Sequence, residues 1–211
     1  KIREVKRRVR KPVSTAEPWH VWLRYPELAA NVDFITVHLL PYWEGLPVQQ
    51  ALDYVFQRLK EVQDRFPNKK IVIGEVGWPS QGDRRGVSYA TPAHQAQFIR
   101  GFLSRAQAMK LDYFLMEGID QPWKIALEGR AGPYWGILNA DREPKFNLQG
   151  PIETDSSWRT KAAAASAIGA IALFWFMLRF SRLRLASRIA FGIALQAVVS
   201  LFVWLLAIPL D

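Results

Sequence analysis

The chain has 211 residues, enough for one core of ordinary size or for a smaller domain with a membrane segment. It has no cysteine, which excludes disulfide bonds, thiol catalysis and cysteine-ligated metal sites. The net charge of +9 is concentrated in two segments: residues 1–11 hold seven basic side chains and one acid, and residues 179–188 hold four arginines. Because no broad basic face remains, we predict no nucleic-acid partner.

The basic N-terminal segment predicts an amphipathic helix. Ile2, Val5 and Val9 stand at helical spacing, so we expect them to form one apolar stripe that packs inward. The helical pattern is already in progress at Lys1, which is neither a methionine nor part of a signal peptide. The beginning of the sequence therefore favours a piece of a longer protein.

Short β-type runs alternate with longer helical patterns up to residue 150, which predicts βα units around a parallel sheet. Thr91 and Pro92 suit the N-cap and the first position of one helix. At most four units fit, which is half of an eight-stranded barrel. The predicted strands are 12–16, 32–40, 70–74 and 111–116, and the clearest helices are 48–62 and 92–109.

A carboxylate beside an aromatic side chain follows each predicted strand. In a (β/α)₈ barrel the carboxyl ends of the strands converge on one face, where the active site is built. Such a ring suits sugars, since aromatic rings stack on apolar CH faces and carboxylates bond hydroxyls or act as acid, base or nucleophile. For Glu17 and Glu44, a place in a surface loop is the alternative. The residues concerned are Glu17, Trp19, Tyr42, Trp43, Glu44, Glu75, Trp78, Glu117, Asp120, Gln121, Trp123 and Lys124.

Other chemistries find little support in the sequence. The three imidazoles, His20, His38 and His94, do not share the spacing of metal ligands. His38 lies within a predicted strand, where it either faces the site or is a core residue with satisfied hydrogen bonds. A phosphate-binding glycine loop and a Gly-x-Ser-x-Gly nucleophile elbow are both missing from the sequence. We therefore predict neither a metal ion nor another cofactor.

Two uncharged apolar stretches, 162–178 and 189–208, lie near the C-terminus. Their lengths match the roughly 17 to 25 residues that a helix needs to cross a bilayer. The intervening arginines predict a cytoplasmic loop at 181–188 and place residues 1–158 on the outer, periplasmic side of a bacterial inner membrane. We thus predict a linker at 151–161 and a transmembrane hairpin of 162–180 and 189–208. A buried helical hairpin is the alternative.

One motif carries a family resemblance. The run from Ile71 to Ser80 contains Glu75-Val76-Gly77-Trp78-Pro79-Ser80 and closely resembles the nucleophile strand of glycoside hydrolase family 17, the β-1,3-glucanase family. The match covers about residues 1–148 and is close to bacterial members fused to membrane glucan synthases. Supporting segments in order are Ser14-Thr15-Ala16, Pro41-Tyr42-Trp43, Asp120-Gln121-Pro122-Trp123-Lys124, Tyr134-Trp135-Gly136-Ile137 and Pro144-Lys145-Phe146.

The resemblance implies the C-terminal half, about strands 5–8, of a (β/α)₈ barrel over residues 1–150, with a retaining mechanism. Glu75 matches the nucleophile, and Gln121 stands where many members have glutamate. The family's acid/base follows Gly-Asn, a sequence absent here, so we expect it upstream of Lys1. The expected substrate-binding residues are Glu17, Trp19, His38, Tyr42, Trp43, Trp78, Glu117, Gln121, Trp123 and Lys124.

The leading hypothesis is therefore a retaining β-1,3-glucan hydrolase or transglucosylase module of a membrane-bound glucan-processing or glucan-synthesising protein. Its expected partners are a β-glucan, the lipid bilayer and a glycosyltransferase domain beyond Asp211. The alternative is a non-catalytic glucan-binding module of a membrane glycosyltransferase. Because a retaining glycosidase needs two carboxyl groups, we expect this chain by itself to lack appreciable hydrolytic activity.

Overall fold

The computed structural model describes residues 1–152, 158–180 and 184–206, with the side chains of 205 and 206 left aside. The chain divides into two compact units, Lys1–Ile152 and Glu153–Asp211. The first unit contains α1 (Ile2–Arg8), β1 (Ala16–Pro18), α2 (Trp19–Arg24), β2 (Ile35–Leu39), α3 (Val48–Arg65), β3 (Ile71–Val76), α4 (Pro92–Ala108), β4 (Tyr113–Leu115) and α5 (Ile125–Glu128). Short 3₁₀ helices occupy Pro26–Asn31, Pro122–Lys124 and Gly129–Tyr134.

The four strands form one parallel sheet in the order β1-β2-β3-β4. The α/β class and the half-barrel order of strands are thus confirmed. The predicted strand 12–16 is wrong in its position, since β1 begins only at Ala16. Val13 and Ser14 are held by other bonds: Val13 N donates to Asp33 Oδ2 at 2.8 Å, and Ser14 Oγ donates to the Phe34 carbonyl at 2.6 Å.

One face of the sheet packs against α3 and α4, and the other stays half-exposed. In β2, Ile35, Val37 and Leu39 are buried, whereas the alternate residues Thr36 and His38 are half-exposed. The helices contribute apolar stripes at the spacing that the sequence predicts. Their buried members include Ala51, Val55, Leu59 and Val62 of α3 and Phe98, Ile99 and Phe102 of α4.

The N-terminal helix forms, but polar contacts rather than an apolar stripe attach it. Ile2 packs against the core, whereas Val5 and Val9 are 46% and 41% exposed, so the expected inward stripe is wrong. Lys6 Nζ lies 2.5 Å from Asp33 Oδ1. The hydrogen bond from Lys6, followed by that from the Val13 amide, lowers the pKa of Asp33.

The second unit holds two long helices, α6 (Trp158–Arg179) and α7 (Leu185–Leu206), which pack against each other. Phe176 stacks on Phe191 with ring centroids 3.8 Å apart, and Gln196 Nε2 donates to the Ala165 carbonyl at 3.4 Å. In the described residues both helices are long and apolar enough to cross a membrane. Residues 185–188, predicted as loop, are helical, while 153–157, 181–183 and 207–211 of the predicted linker, loop and second span lie outside the described residues.

Candidate active site

Glu75 lies at the carboxyl end of β3, directly beside His38 of β2. The register between the two strands shifts after Val37, which brings His38 opposite Glu75. His38 Nδ1 lies 3.1 Å from Glu75 Oε2, and both side chains are partly exposed. The structure therefore places His38 on the half-exposed face of the sheet, together with Glu75. Of its two interpretations, this favours a residue that faces the site over a core residue.

The glycine before Glu75 makes this pairing possible. A Cβ atom at Gly74 would overlap the Thr36 side chain and would lie only 3.0 Å from His38 Cδ2. Any larger residue would push His38 away from the carboxylate. The motif that signals the nucleophile strand thus also clears the space in which the imidazole contacts Glu75.

Glu117 follows β4 and forms a second polar group with the turn after it. Its Oε2 atom accepts hydrogen bonds from Gln121 Nε2 at 2.5 Å and from Lys124 Nζ at 2.8 Å. Its other oxygen, Oε1, is buried and has no hydrogen-bond partner among the residues that the structure describes. A buried carboxylate oxygen without a partner carries a desolvation cost, which the two charged or polar donors on Oε2 offset.

Two indoles in the loops that follow β2 and β4 have surface available to a ligand. Trp123 is 61% exposed, and Lys124 Nζ lies 5.9 Å from the centroid of its ring. Trp43 is half-buried, with Trp135 at 5.6 Å and the Arg85 guanidinium at 5.0 Å from its ring. The exposed indole of Trp123, beside Lys124, forms a surface on which an apolar sugar face can stack.

Tyr42 and Trp78 lie in the core instead of on that surface. Neither has exposed area, and their rings meet edge to face at 5.6 Å. Trp78 Nε1 donates to the Tyr89 carbonyl at 3.0 Å, the Tyr42 hydroxyl donates to the Asp83 carbonyl, and burial raises the pKa of Tyr42. The expectation of direct sugar contact is therefore corrected for both residues, which support the loop after β3.

Glu17 and Trp19 also lie apart from Glu75. Glu17 pairs in register with Val37, which is buried on the helix side, whereas Pro18 pairs with His38. Because residues in register point to the same face of a sheet, Glu17 lies on the face opposite His38. Trp19 donates weakly to Glu44 Oε1 at 3.4 Å and is covered by the Arg58 guanidinium at 4.5 Å from its ring. The predicted grouping of these two residues with Glu75 is corrected.

A largely buried ion pair that the sequence analysis missed joins the loops around the site. Lys145 Nζ donates to Asp120 Oδ1 at 2.7 Å, to Ser80 Oγ at 2.8 Å and to the Tyr134 carbonyl at 3.2 Å. Burial lowers the pKa of Lys145, and the hydrogen bond with Asp120 opposes that effect. These contacts connect the segments that follow β3 and β4 with the segment 144–146. Spacing along the chain carries no signal of such a long-range contact.

Within the described ranges, no group of three or more histidine, aspartate or glutamate side chains is arranged to hold a metal ion. The polar groups that do come together are His38 with Glu75, and Glu117 with Gln121 and Lys124. They stand at the carboxyl ends of neighbouring parallel strands, the position of the active site in barrel enzymes.

Parallel βα units with carboxylates at the strand ends define part of a (β/α)₈ barrel of the glycosidase type. Residues 1–136 match the family model of the BtgE/BtgC glycoside hydrolase domain, and the chain belongs to this family. The resemblance to β-1,3-glucanases of glycoside hydrolase family 17 that the sequence motifs indicate is confirmed.

Two fungal glucosidases that are similar in sequence support the same family membership. The chain is 30% identical over 167 residues to the glucan 1,3-beta-glucosidase of Arthroderma benhamiae, covering 70% of this chain and 53% of the relative. It is 28% identical over 145 residues to the glucan 1,3-beta-glucosidase of Schizosaccharomyces pombe, covering 65% and 45%. The chain thus spans about half the length of these relatives.

Solved structures give a similar picture of the fold. The family 17 β-1,3-glucanosyltransferase from Rhizomucor miehei superposes with a TM-score of 0.63 at 25% identity, over 71% of this chain and 56% of that protein. An endo-laminarinase from Formosa shares the fold, with a TM-score of 0.52 at 19% identity. The barrel interpretation of the first unit is confirmed by these similarities.

Proposed function

We propose that this chain contributes the nucleophile and part of the sugar-binding surface to an enzyme that cleaves or transfers β-1,3-linked glucan with retention of configuration. The observation that carries the proposal is the position of Glu75, partly exposed at the end of β3 and 3.1 Å from His38 Nδ1. It lies in a chain that belongs to a glycoside hydrolase family. Glu117, with its free buried oxygen, stands at the end of the next strand.

In the first step, a Glu75 carboxylate oxygen attacks the anomeric carbon, and the bond from that carbon to the glycosidic oxygen breaks. The leaving oxygen takes the electron pair of that bond and a proton from a general acid. In the second step, the general base removes a proton from water or from a sugar hydroxyl, which attacks the same carbon and displaces Glu75. Hydrolysis and transglucosylation differ only in this acceptor.

We assign the acid/base to a part of the barrel outside this chain, upstream of Lys1. A retaining pair needs carboxyl groups about 5–5.5 Å apart, and an acid must be free to protonate the leaving oxygen. Glu117 is unsuited to that role, because one of its oxygens already accepts from Gln121 and Lys124. We assign it to the substrate-binding cluster instead, in which it holds Gln121 and Lys124 in place.

Substrate binding is assigned to the exposed part of the cluster. Trp123 and Trp43 would stack on the apolar faces of glucosyl rings, while Gln121 and Lys124 keep Glu117 oriented. His38 would orient the Glu75 carboxylate through its Nδ1 atom, 3.1 Å from Oε2. The role of Tyr42 and Trp78 is to hold the loop beneath these residues.

The test is chemical trapping in the natural protein that contains this chain. A deoxyfluoro-β-glucoside with an activated leaving group is expected to leave a stable glucosyl adduct on the peptide containing Glu75, detected by mass spectrometry after proteolysis. Adduct formation is expected to disappear in the Glu75→Gln variant and to persist in Glu27→Gln, whose side chain is exposed outside the site. With a retaining glucanase labelled in parallel, an unlabelled protein would favour the glucan-binding alternative.

The C-terminal helices are assigned to the membrane. Both are apolar over membrane-spanning length, and the arginines between them favour a cytoplasmic turn. The first unit then lies on the periplasmic side of a bacterial inner membrane. A glycosyltransferase domain beyond Asp211 completes this arrangement as a glucan-synthesising or glucan-remodelling protein.

This orientation can be measured because the chain has no cysteine of its own. In an otherwise cysteine-free protein, Gln149→Cys is expected to react with a membrane-impermeant maleimide in intact cells with a permeabilised outer membrane. Ser187→Cys is expected to react only after the inner membrane is opened. Labelling of Ser187→Cys in intact cells, with Gln149→Cys protected, would reverse the orientation.

A further inference from the structure

A cavity of about 540 Å³ lies among the loops that follow β3 and β4, apart from the residues assigned to the reaction. Its size is within the range of roughly 300–1,000 Å³ that is typical of sites for small ligands. Glu75, His38, Glu117 and Trp123 do not line it. The polar part of its lining comes from Ser80, Gln81, Asp120, Asp141 and Lys145.

The loop 120–125 contributes different side chains to the cavity and to the Glu117 cluster. Gln121 and Lys124 donate hydrogen bonds to Glu117 Oε2. The side of the loop that lines the cavity consists of other residues, namely Asp120, Pro122 and Ile125. The cavity is therefore a separate feature and not an extension of the Glu117 cluster.

The Asp120 side chain is only 8% exposed and has one oxygen left for a ligand. Its Oδ1 atom accepts from Lys145 Nζ at 2.7 Å and from the Gly136 amide at 2.9 Å. Both hydrogen bonds that the described residues donate to this carboxylate thus end on Oδ1, which leaves Oδ2 as an acceptor. Because two donors hold the carboxylate, Oδ2 is available to the cavity in a fixed position.

The charges around the cavity disfavour an anionic ligand. Among the described residues of the lining, Lys145 is the one cation. Its three protons are already used, by Asp120 Oδ1, by Ser80 Oγ and by the Tyr134 carbonyl. No donor remains for a phosphate or a carboxylate, and the exposed Asp141 repels further negative charge. A neutral ligand rich in hydroxyl groups suits the acceptors that are left.

Apolar side chains form the other part of the lining. Ile125 is 56% exposed, and Pro92 and Pro122 are exposed as well. Small-ligand sites typically combine such an apolar wall with a few placed polar groups. Here the polar groups are Asp120 Oδ2 and the exposed amide of Gln81, which both donates and accepts. A sugar ring, with an apolar CH face and hydroxyls around its rim, matches both parts.

We propose that this cavity is a second binding site for glucosyl units of a β-glucan chain, separate from the site at Glu75. The apolar face of a ring packs on Ile125 and Pro122, while its hydroxyls donate to Asp120 Oδ2 and bond Gln81. The choice of glucan rests on the proposed function, whereas the choice of a neutral sugar rests on the cavity itself. Two binding sites on one protein raise the effective concentration of a polymer near Glu75.

Protection of a cysteine from alkylation measures occupancy of the cavity without turnover. Ala140 lines the cavity and is exposed, so Ala140→Cys should react with a maleimide in the natural protein, made otherwise cysteine-free and carrying Glu75→Gln. Laminaritriose at about ten times its Kd should slow this reaction about tenfold, because only the free fraction reacts. Ala108→Cys, exposed at the last residue of α4 and outside the lining, should react at the same rate with and without the sugar.

Two further variants separate the cavity from the site at Glu75. Ile125→Ser removes apolar surface from the wall and should raise the laminaritriose concentration for half-protection about fivefold. Trp123→Ala removes the indole assigned to stacking beside Lys124 and should leave that concentration unchanged. The proposal is overturned if laminaritriose does not slow the alkylation, if Ile125→Ser leaves half-protection where it was, or if Trp123→Ala abolishes the protection.

Failure of this inference and failure of the proposed function give different results. Protection at residue 140 in a protein whose Glu75 forms no glucosyl adduct would sustain the cavity site and reject the enzyme. An adduct on Glu75 without protection at residue 140 would reject the cavity site alone.

Discussion

Replacing Glu75 by alanine is expected to reduce turnover of β-1,3-glucan by about ten thousandfold or more in the natural protein, because the covalent intermediate has no other acceptor. Glu117 cannot substitute for it, since its Oε1 is buried and its Oε2 is committed to Gln121 and Lys124. The control Glu27→Ala should retain wild-type rates, and both variants should show the circular dichroism spectrum and the unfolding midpoint of the wild type.

The product formed with azide shows whether the removed carboxylate is the nucleophile or the acid/base. With an activated dinitrophenyl glucoside, azide should enter the space left by Glu75→Ala, form a carbon–nitrogen bond at the anomeric carbon and expel dinitrophenolate with the electron pair. The product is expected to be the α-glucosyl azide, because azide approaches from the face that Glu75 occupied. A β-glucosyl azide would instead mark Glu75 as the acid/base, and an activity close to wild type would exclude it from catalysis.

The arrangement around Glu75 shows why this part of the site can be predicted from the sequence. The motif Gly74-Glu75-Val76-Gly77-Trp78 lies on one strand and its immediate loop, so residue order largely fixes the positions. Gly74 is needed where Thr36 and His38 approach, and a Cβ at Gly77 would overlap the Met116 carbonyl oxygen. Local sequence and tertiary contact therefore impose the same residues, and the motif predicts the strand and its carboxylate together.

The face on which a side chain lies is decided by register, which sequence spacing fixes poorly. Moving a strand by one residue reverses every side chain, so the face on which Glu17 lies depends on the residue of β2 with which it pairs. In the structure Glu17 pairs with Val37, which places it on the face opposite His38. In the same way, an aromatic residue after a strand is compatible with stacking on sugar or with burial, and Tyr42 and Trp78 are buried by neighbouring rings.

A contact between distant segments explains the ion pair that the sequence analysis missed. Lys145 reaches Ser80, 65 positions away in the chain, and Asp120, 25 positions away. A charged residue in a loop sequence usually indicates a solvated surface position, and burial of such a residue becomes visible only when its partners are placed around it.

Lys145→Met is expected to lower the free energy of unfolding of the first unit by about 1.5–3 kcal/mol, because it leaves the largely buried Asp120 carboxylate without its cation. Asp120 and Lys145 are 8% and 12% exposed at the side chain, so water replaces the lost partner only in part. Since burial lowers the pKa of Lys145 even beside Asp120, the pair is costly to bury, and removing both charges should cost less than removing one.

Lys145→Met combined with Asp120→Asn should therefore recover much of the loss in the free energy of unfolding, measured by denaturant unfolding of the natural protein. Lys110→Met, at an exposed position, is the control. Asparagine can still accept from the Gly136 amide, which bonds Asp120 Oδ1 at 2.9 Å in the wild type. Simple addition of the two single losses would show that the loops are held by packing instead of by this ion pair.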